Sequence, residues 1–301
     1  MRWRKLGLVP GADGSRPWAS HSALQPTPLL LGETIRLFVG FRDSAGRSSV
    51  AFIDVDAADP MRVVRVAEEP ALERGAADAF DRDGVVPCAI VADGSRLRLY
   101  YAGYEQAVDV RFRVFGGLAT SQDGGESFAR LSDQPLTGPA PGETLFRVIH
   151  SIRREGDLWR AWYGAGDSFI DGRETTRPVY DIRYMESPDG ISFPDRGRVV
   201  VPLGPAEHRV GRPYVVEGGP GYQMFFGGAT DAQGYRLAYA ESVDGLEWKR
   251  LDQEIGLDAS PGGFDSRMIG YPAVVDVGPK RYLFYNGDDY GRAGVGVAVL
   301  E

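Results

Sequence analysis

Apolar and polar positions along the chain follow a pattern that recurs five times. In each repeat an apolar, strand-like segment ends with an aromatic residue two positions before a small residue, at intervals of about sixty residues. The five pairs are Phe38 and Gly40, Tyr101 and Gly103, Tyr163 and Ala165, Phe226 and Gly228, and Tyr285 and Gly287. A fixed period of this length is typical of a protein built from repeated supersecondary units.

Each repeat predicts three consecutive strands. A first apolar strand is joined by a glycine-containing turn to a second strand, which ends with the aromatic pair, and a third strand follows a loop of variable length. The first strand is predicted to open at a proline or a histidine, a position where the missing N–H of proline is tolerated. These opening residues are Pro26, Pro87, His150, Pro213 and Pro272.

A fourth, outer strand is indicated by Ser-x-Asp-Gly turns that begin at Ser121, Ser187 and Ser242. The last repeat stops after its third strand, and the N-terminal segment 2–9 resembles the outer strands of the other repeats. The sequence therefore predicts an all-β fold: a single five-bladed β-propeller over residues 1–301, with four antiparallel strands per blade and closed by the N-terminal strand. A pair of sheets in a β-sandwich is the alternative, although a sandwich does not require a five-fold period.

Composition and charge narrow the function classes. The 301 residues include 34 Lys and Arg against 42 Asp and Glu, and the net charge of −8 does not favour a nucleic-acid-binding protein. Cys88 is the only cysteine, so an internal disulfide is excluded and a buried structural role is expected. No apolar run is long enough to span a bilayer, so we predict a cytoplasmic protein with neither a membrane nor a nucleic acid as partner.

In a propeller, the first strand of each blade lines a central channel, and the segments leading into these strands share one face with the second-to-third loops. Arginines in these segments, among them Arg209, favour an anionic ligand because guanidinium groups match carboxylate and phosphate. The alternative is that these arginines pair with Asp43, Asp81 and Asp265 across the channel. The residues expected to bind a ligand are His21, Gln25, Arg42, Asp81, Arg147, His150, Arg212, Arg267, Tyr271 and Asp288.

The chain resembles the five-bladed propeller glycosidases in three features: the five-fold plan, the Ser-x-Asp-Gly turns and the last repeat. The last repeat contains the segments FDSRMIGYPAVV and YLFYNGDDYGRAGVGVA. That superfamily contains arabinanases, levansucrases, invertases, glycoside hydrolase family 43 and the mannoside phosphorylases, and the chain is most similar to uncharacterised members associated with polysaccharide synthesis. The resemblance implies an enzyme acting on a glycan or a sugar derivative such as a sugar phosphate. It also allows a calcium ion at the channel centre, whereas the histidine spacing forms no metal-binding motif and no other metal or cofactor is predicted.

The resemblance implies two carboxyl groups that flank the glycosidic bond, one protonated and one ionised. Asp83 lies where the carboxylate of the second blade is expected and would be the base or the group that sets the pKa of the acid. Asp43 or Asp265 would be the second carboxylate, and Glu174, on a long loop, would be the acid.

The sequence departs from the family pattern at two places, and this leaves two alternatives. His21 precedes the first strand where family members have an aspartate. Arg147 and His150 lie where family 43 has the glutamate that acts as general acid. The chain could therefore be a non-catalytic carbohydrate-binding propeller. It could also be a sugar-tailoring lyase that uses His150 and Tyr271 as acid and base.

Overall fold

The computed structural model describes residues 1–173, 175–219 and 221–301. Twenty β-strands form nearly all the regular structure of these residues, together with a 3₁₀ turn at Asp252–Glu254 and a helical turn at Asp288–Gly291. The prediction of an all-β protein is confirmed. No helix within the described ranges is long and apolar enough to cross a membrane, and the cytoplasmic location stays a prediction.

The strands after the first form five groups of neighbours in sequence, and strands within a group pair antiparallel. Group 1 contains β2 (His21–Leu31), β3 (Thr34–Arg42), β4 (Ser48–Asp56) and β5 (Val63–Val66), and group 2 contains β6 (Gly84–Asp93), β7 (Arg96–Glu105), β8 (Arg113–Ser121) and β9 (Ala129–Arg130). Group 3 contains β10 (Phe146–Glu155), β11 (Leu158–Ile170), β12 (Arg177–Ser187) and β13 (Arg198–Val201). Group 4 contains β14 (Glu207–Gly218), β15 (Gly221–Thr230), β16 (Arg236–Ser242) and β17 (Lys249–Arg250), and group 5 contains β18 (Gly270–Val277), β19 (Lys280–Asn286) and β20 (Gly294–Leu300).

The N-terminal strand β1 (Trp3–Pro10) completes group 5. It pairs antiparallel with β20, with Trp3 opposite Leu300 and Pro10 opposite Gly294. The predicted addition of the N-terminal segment to the last repeat is therefore confirmed, and the two ends of the chain are joined in one sheet.

The first strands of the five groups contact one another in cyclic order. β2 contacts β6, β6 contacts β10, β10 contacts β14, β14 contacts β18, and β18 contacts β2. The aromatic residues of the repeat signature lie in the core, and all five are at most 1% exposed: Phe38, Tyr101, Tyr163, Phe226 and Tyr285. Burial of such large side chains in each group contributes a major part of the hydrophobic stabilisation.

The prediction that prolines open the first strands is wrong. Each first strand begins earlier in the chain, and the proline or histidine lies inside it, at a β-bulge where the pairing register shifts. A bulge interrupts the ladder of backbone hydrogen bonds, so a residue without an N–H is tolerated there. As a result, residues such as His21 and Arg147, which the sequence placed in leading segments, are part of paired strands.

Candidate functional site

A cavity of about 650 Å³ is lined by residues from all five groups, including the first strands. Four of the bulge residues line it: Gln25 on β2, His150 on β10, Arg212 on β14 and Tyr271 on β18. Their side chains come together although the residues are some sixty positions apart in the chain. The cavity is therefore the candidate functional site.

The bulges hold three of these residues in an unfavourable backbone conformation. Gln25, Arg212 and Tyr271 have φ angles of 60°, 56° and 56°, and each directly precedes a proline. A non-glycine residue in the left-handed region costs about 1–3 kcal/mol and is frequent at functional sites. The same costly conformation at the same place in three groups indicates that it serves to direct side chains into the cavity.

The charges around the cavity are mostly positive. Five arginines line it, namely Arg42, Arg111, Arg177, Arg209 and Arg212. Among the described lining residues the only carboxylate is that of Asp83, which accepts a hydrogen bond of 2.8 Å from the backbone N–H of Gln106. The site therefore favours a ligand with negative charge.

Arg209 lies among tyrosine side chains. Its residue is 7% exposed, its Nε has no hydrogen-bond partner, and the groups close to it are tyrosines rather than carboxylates. The guanidinium carbon lies 4.5 Å from the centre of the Tyr235 ring, within cation–π range. Its charge is thus buried without an ion pair among the residues that the structure describes.

Arg212 has a different role, because it links four of the five groups. Its guanidinium donates hydrogen bonds to the carbonyl oxygens of Pro26 (2.9 Å), His150 (3.4 Å) and Cys88, and to Oγ1 of Thr27 (3.0 Å). These acceptors belong to β2, β6 and β10, while Arg212 belongs to β14. Arg212 therefore fixes the bulged segments of the first strands relative to one another.

This arrangement does not fit the calcium ion that the family resemblance allows. Calcium needs six to eight oxygen ligands with compensating negative charge. Here the central carbonyl oxygens already accept hydrogen bonds from the positive charge of Arg212. In addition, the described residues contain no group of three or more His, Cys, Asp and Glu side chains that could hold a metal ion.

Aromatic side chains form much of the remaining wall. The rings of Tyr235, Tyr271 and Tyr290 have centroids 5.2 to 6.5 Å apart, and we call these three residues the tyrosine trio. The hydroxyl group of Tyr180 forms a hydrogen bond with that of Tyr235, and its ring contacts Phe146 at 5.6 Å. Aromatic faces of this kind suit the apolar faces of a sugar or another ring-shaped ligand.

Two of the titratable groups in the wall with shifted pKa values, His150 and Tyr271, could take part in proton or hydrogen-bond exchange with a ligand. Burial, together with the nearby Arg212 guanidinium, holds the pKa of His150 well below 6.5, and its Nδ1 has no hydrogen-bond partner among the described residues. Burial and the neighbouring tyrosines raise the pKa of Tyr271 well above 10. At neutral pH, His150 is therefore a neutral imidazole that can accept a hydrogen bond, while Tyr271 keeps its proton and can donate one.

The structure brings six of the sequence-derived candidates together at this cavity and leaves most of the others outside its lining. The six are Gln25, Arg42, Asp83, His150, Arg212 and Tyr271. Those outside the lining are His21, Asp43, Asp81, Arg147, Asp265, Arg267 and Asp288. Glu174 lies outside the described residues, so the structure neither places it in the cavity nor excludes it.

Asp81 and Asp265 are held in buried contacts of the fold. Both are 0% exposed. Asp81 accepts hydrogen bonds from the signature residue Tyr101 (3.1 Å) and from Arg130 (2.9 Å). Asp265 accepts them from the signature residue Tyr285 (3.0 Å) and from Lys5 on β1 (2.5 Å).

Glu143, which the sequence analysis did not select, completes this pattern in group 3. Its Oε1 accepts hydrogen bonds from Tyr163 (2.6 Å) and Arg183 (2.9 Å), and its Oε2 lies 2.8 Å from Nε of Arg147. In each of groups 2, 3 and 5, a buried carboxylate in the segment before the first strand thus accepts hydrogen bonds from the signature tyrosine of that group and from a basic residue. The same contact explains why Arg147 does not line the cavity.

The other candidates outside the lining have local partners. Asp43 accepts hydrogen bonds from backbone N–H groups of its own loop and pairs with Arg47. Arg267, whose side chain is 68% exposed, pairs with Asp288 at 3.3 Å. His21 contacts the hydroxyl group of Ser22 at 2.9 Å. Asp43, Asp81 and Asp265 therefore pair with Arg47, Arg130 and Lys5 rather than with the predicted ligand-binding arginines across the channel, which was the alternative considered above.

Sequence reasoning missed most of the aromatic wall. Tyr104, Tyr180, Tyr235 and Tyr290 line the cavity, as do Arg111 and Arg177. All six lie at or near the ends of the second-to-third loops, on the face that the repeat pattern had marked. The available signal was therefore the clustering of tyrosines at these loop ends in several repeats.

Two curated relatives match the chain over its full length. No family model matches it. The uncharacterized proteins Rv1502 and MT1551, from the H37Rv and CDC 1551 strains of Mycobacterium tuberculosis, are each 35% identical over 303 residues, covering 100% of both chains. The chain belongs to the family of Rv1502.

Solved structures show the fold of this family. The chain is similar to a glycoside hydrolase (TM-score 0.76, 16% identity, 99% of this chain and 91% of that one). It is also similar to the β-1,2-mannobiose phosphorylase of Listeria innocua in complex with β-1,2-mannobiose (TM-score 0.74, 14% identity, 100% of this chain and 97% of that one). A third similar structure is a thermostable family-43 glycoside hydrolase (TM-score 0.68, 15% identity, 94% of this chain and 91% of that one). The family therefore has a glycosidase-like β-propeller fold, and at these identities the likeness concerns the fold alone.

Proposed function

We propose that the chain is an enzyme of the glycoside hydrolase or phosphorylase type that binds an anionic sugar in the central cavity. The observation that carries this proposal is the lining, in which five arginines and an aromatic wall accompany one described carboxylate. Such a lining suits a sugar that bears carboxylate or phosphate. The likeness in fold to glycoside hydrolases and to a mannobiose phosphorylase supports a carbohydrate as ligand.

The proposal includes the architecture around the cavity. We take the five strand groups to be the five blades of one propeller that covers residues 1–301. The cyclic contacts among β2, β6, β10, β14 and β18 support this arrangement, as does the pairing of β1 with β20. The cavity then lies on the propeller axis, where ligands of such folds are enclosed by successive blades.

In this proposal Asp83 accepts a proton or a hydroxyl hydrogen bond from the substrate. Its side chain lines the cavity, and its carboxylate lies 3.4 Å from Nε of Arg82. Glu174 is the proposed acid, because it directly precedes the lining residue Thr175 in the chain. Asp43 and Asp265 are given no catalytic role, since each is held by its own basic partner outside the lining.

Replacing Asp83 with asparagine should abolish most turnover and leave the fold intact. The amide keeps the acceptor for the Gln106 N–H but cannot take up a proton, so we expect kcat to fall at least about 100-fold. The measurement is product release from a panel of uronic-acid glycosides, sugar phosphates and neutral pentosides, with and without inorganic phosphate, alongside Tm.

Asp43→Asn is the matched control, because it removes a carboxylate of the same type that does not line the cavity. It should turn over substrate like the native protein. Equal turnover by Asp83→Asn and the native protein would refute the role of Asp83, and preference for the neutral pentosides would refute the anionic substrate.

A second candidate is a carbohydrate-binding protein without enzymatic activity. It is favoured by the single described carboxylate, because glycoside hydrolysis ordinarily uses two. Saturable binding of an anionic sugar without product, in the presence or absence of phosphate, would establish this function in place of the enzymatic one.

A further inference from the structure

The positive charges at the cavity differ in how well their surroundings already satisfy them. Arg212 donates to backbone carbonyls of three strands, Arg177 lies 3.9 Å from Asp231, and Arg111 donates to the carbonyl oxygen of Thr176 at 3.2 Å. Arg209 and Arg42, by contrast, have no ion pair among the described residues, and both lie against aromatic rings. Two guanidinium charges are therefore available to a ligand.

These two guanidinium groups lie beside the same aromatic surface. The guanidinium of Arg209 lies over the Tyr235 ring at 4.5 Å, and that of Arg42 is 6.0 Å from the centre of the Tyr290 ring. The rings of Tyr235 and Tyr290 are 6.5 Å apart, and Tyr271 contacts both. Both charges therefore border the one aromatic surface that the tyrosine trio forms.

A buried guanidinium without a counter-charge is costly to the free protein. Removal of a charge from water costs several kcal/mol unless an opposite charge and hydrogen bonds compensate it. In the part of the chain that the structure describes, Arg209 has no ion pair, and its Nε has no hydrogen-bond acceptor. An anionic group of a ligand in the cavity would supply the opposite charge, so the uncompensated charge of Arg209 itself points to an anion.

We propose that this anionic group is a phosphate monoester, held by Arg209 and Arg42 while its sugar stacks on the tyrosine trio. A carboxylate carries one charge and can be satisfied by a single guanidinium fork, whereas a phosphate monoester carries nearly two and offers three terminal oxygens. Two guanidinium groups without an ion pair therefore match the charge of a phosphate monoester better than that of a carboxylate. Tyr271, which keeps its proton, can donate a further hydrogen bond. This inference rests on the proposed binding of an anionic sugar and names its class.

The test is a comparison of dissociation constants by isothermal titration calorimetry. The probes are the 1- and 6-phosphates of glucose, mannose and galactose, the matching uronates, the neutral hexoses and inorganic phosphate. We expect at least one sugar phosphate to bind at least about 10-fold more tightly than its uronate, its neutral sugar and inorganic phosphate. Tighter binding of the uronate, or no binding of any sugar phosphate, would overturn the proposal.

Variants connect that affinity to the residues. Arg209→Gln and Arg42→Gln should each weaken binding of the preferred sugar phosphate at least about 10-fold, the effect of losing a charge-assisted hydrogen bond. Arg267→Gln is the control, because this exposed arginine does not line the cavity, and it should leave the dissociation constant unchanged. Since Arg209 has no ion pair to lose, Arg209→Gln should retain at least the native Tm. Unchanged binding by Arg209→Gln would also overturn the proposal.

The outcomes separate this inference from the proposed enzymatic function. Arg209-dependent binding of a sugar phosphate without turnover would support the phosphate site and refute the enzyme. Turnover of uronic-acid glycosides that Arg209→Gln leaves unchanged would support the enzyme and refute the phosphate site.

Discussion

The Glu143→Gln variant should lose about 4 kcal/mol of the free energy of unfolding, because it removes the counter-charge of the buried Arg147 and one of the two carboxylates that pair with Arg183. Glu143 is 0% exposed, and its carboxylate lies within 2.9 Å of both Arg147 and Arg183, which are nearly as buried. Glutamine has almost the same shape as glutamate and can still accept the hydrogen bond from Tyr163. The loss of stability therefore measures the effect of removing the negative charge. The measurement is chemical denaturation monitored by tryptophan fluorescence.

An exposed ion pair provides the matched control for Glu143→Gln. Glu217, whose side chain is 72% exposed, pairs with Arg153 at the surface. Solvent screens such pairs, so Glu217→Gln should change the free energy of unfolding by less than about 1 kcal/mol. Similar losses in the two variants would show that the buried contacts of Glu143 do not stabilise the fold as its geometry indicates.

The period of the sequence predicted the strand groups because burial of one aromatic residue per repeat leaves a direct trace in the residue pattern. Tyr163 and Tyr285, for example, are two of the aromatic residues that define the period, and both are 0% exposed. The β-bulges left no such trace. A proline in a strand pattern is compatible with a strand end or with a bulge, and only the pairing register distinguishes the two.

The site was predictable as a face but less well as a set of residues. Asp81 and Asp83 are two positions apart in the same leading segment, yet Asp81 is tied to Tyr101 and Arg130 in the interior while Asp83 lines the cavity. Asp265 resembled a catalytic carboxylate in the sequence because its basic partner, Lys5, comes from the opposite end of the chain. Contacts of such long range depend on the closure of the sheets and cannot be read from spacing.

The protein should lose stability in acid in two separate pH ranges, of which the first is set by histidines. In the unfolded chain a histidine titrates near pH 6.5, whereas burial holds the pKa of His150 well below that value in the folded protein and lowers that of His208. Between these two pKa values unfolding takes up a proton, so the free energy of unfolding falls by about 1.4 kcal/mol per pH unit for each such group. We expect the loss to begin near pH 6.5 and to continue down to the folded-state pKa of each histidine, with no histidine contribution above pH 7.

The second range lies below about pH 4 and comes from carboxylates whose charged form is stabilised in the folded protein. Backbone N–H groups, first that of Ser192, hold the pKa of Asp189 below its ordinary 3.8, so its stabilising contribution is lost only when the pH falls through that region. His150→Gln separates the two ranges. As the pH falls below 6.5, its free energy of unfolding should fall less steeply than that of the native protein, by up to about 1.4 kcal/mol per pH unit, whereas the loss below pH 4 should be the same in both. Parallel curves from pH 7 to 4.5 would mean that His150 titrates in the folded protein as it does in the unfolded chain, so that burial beside Arg212 does not lower its pKa.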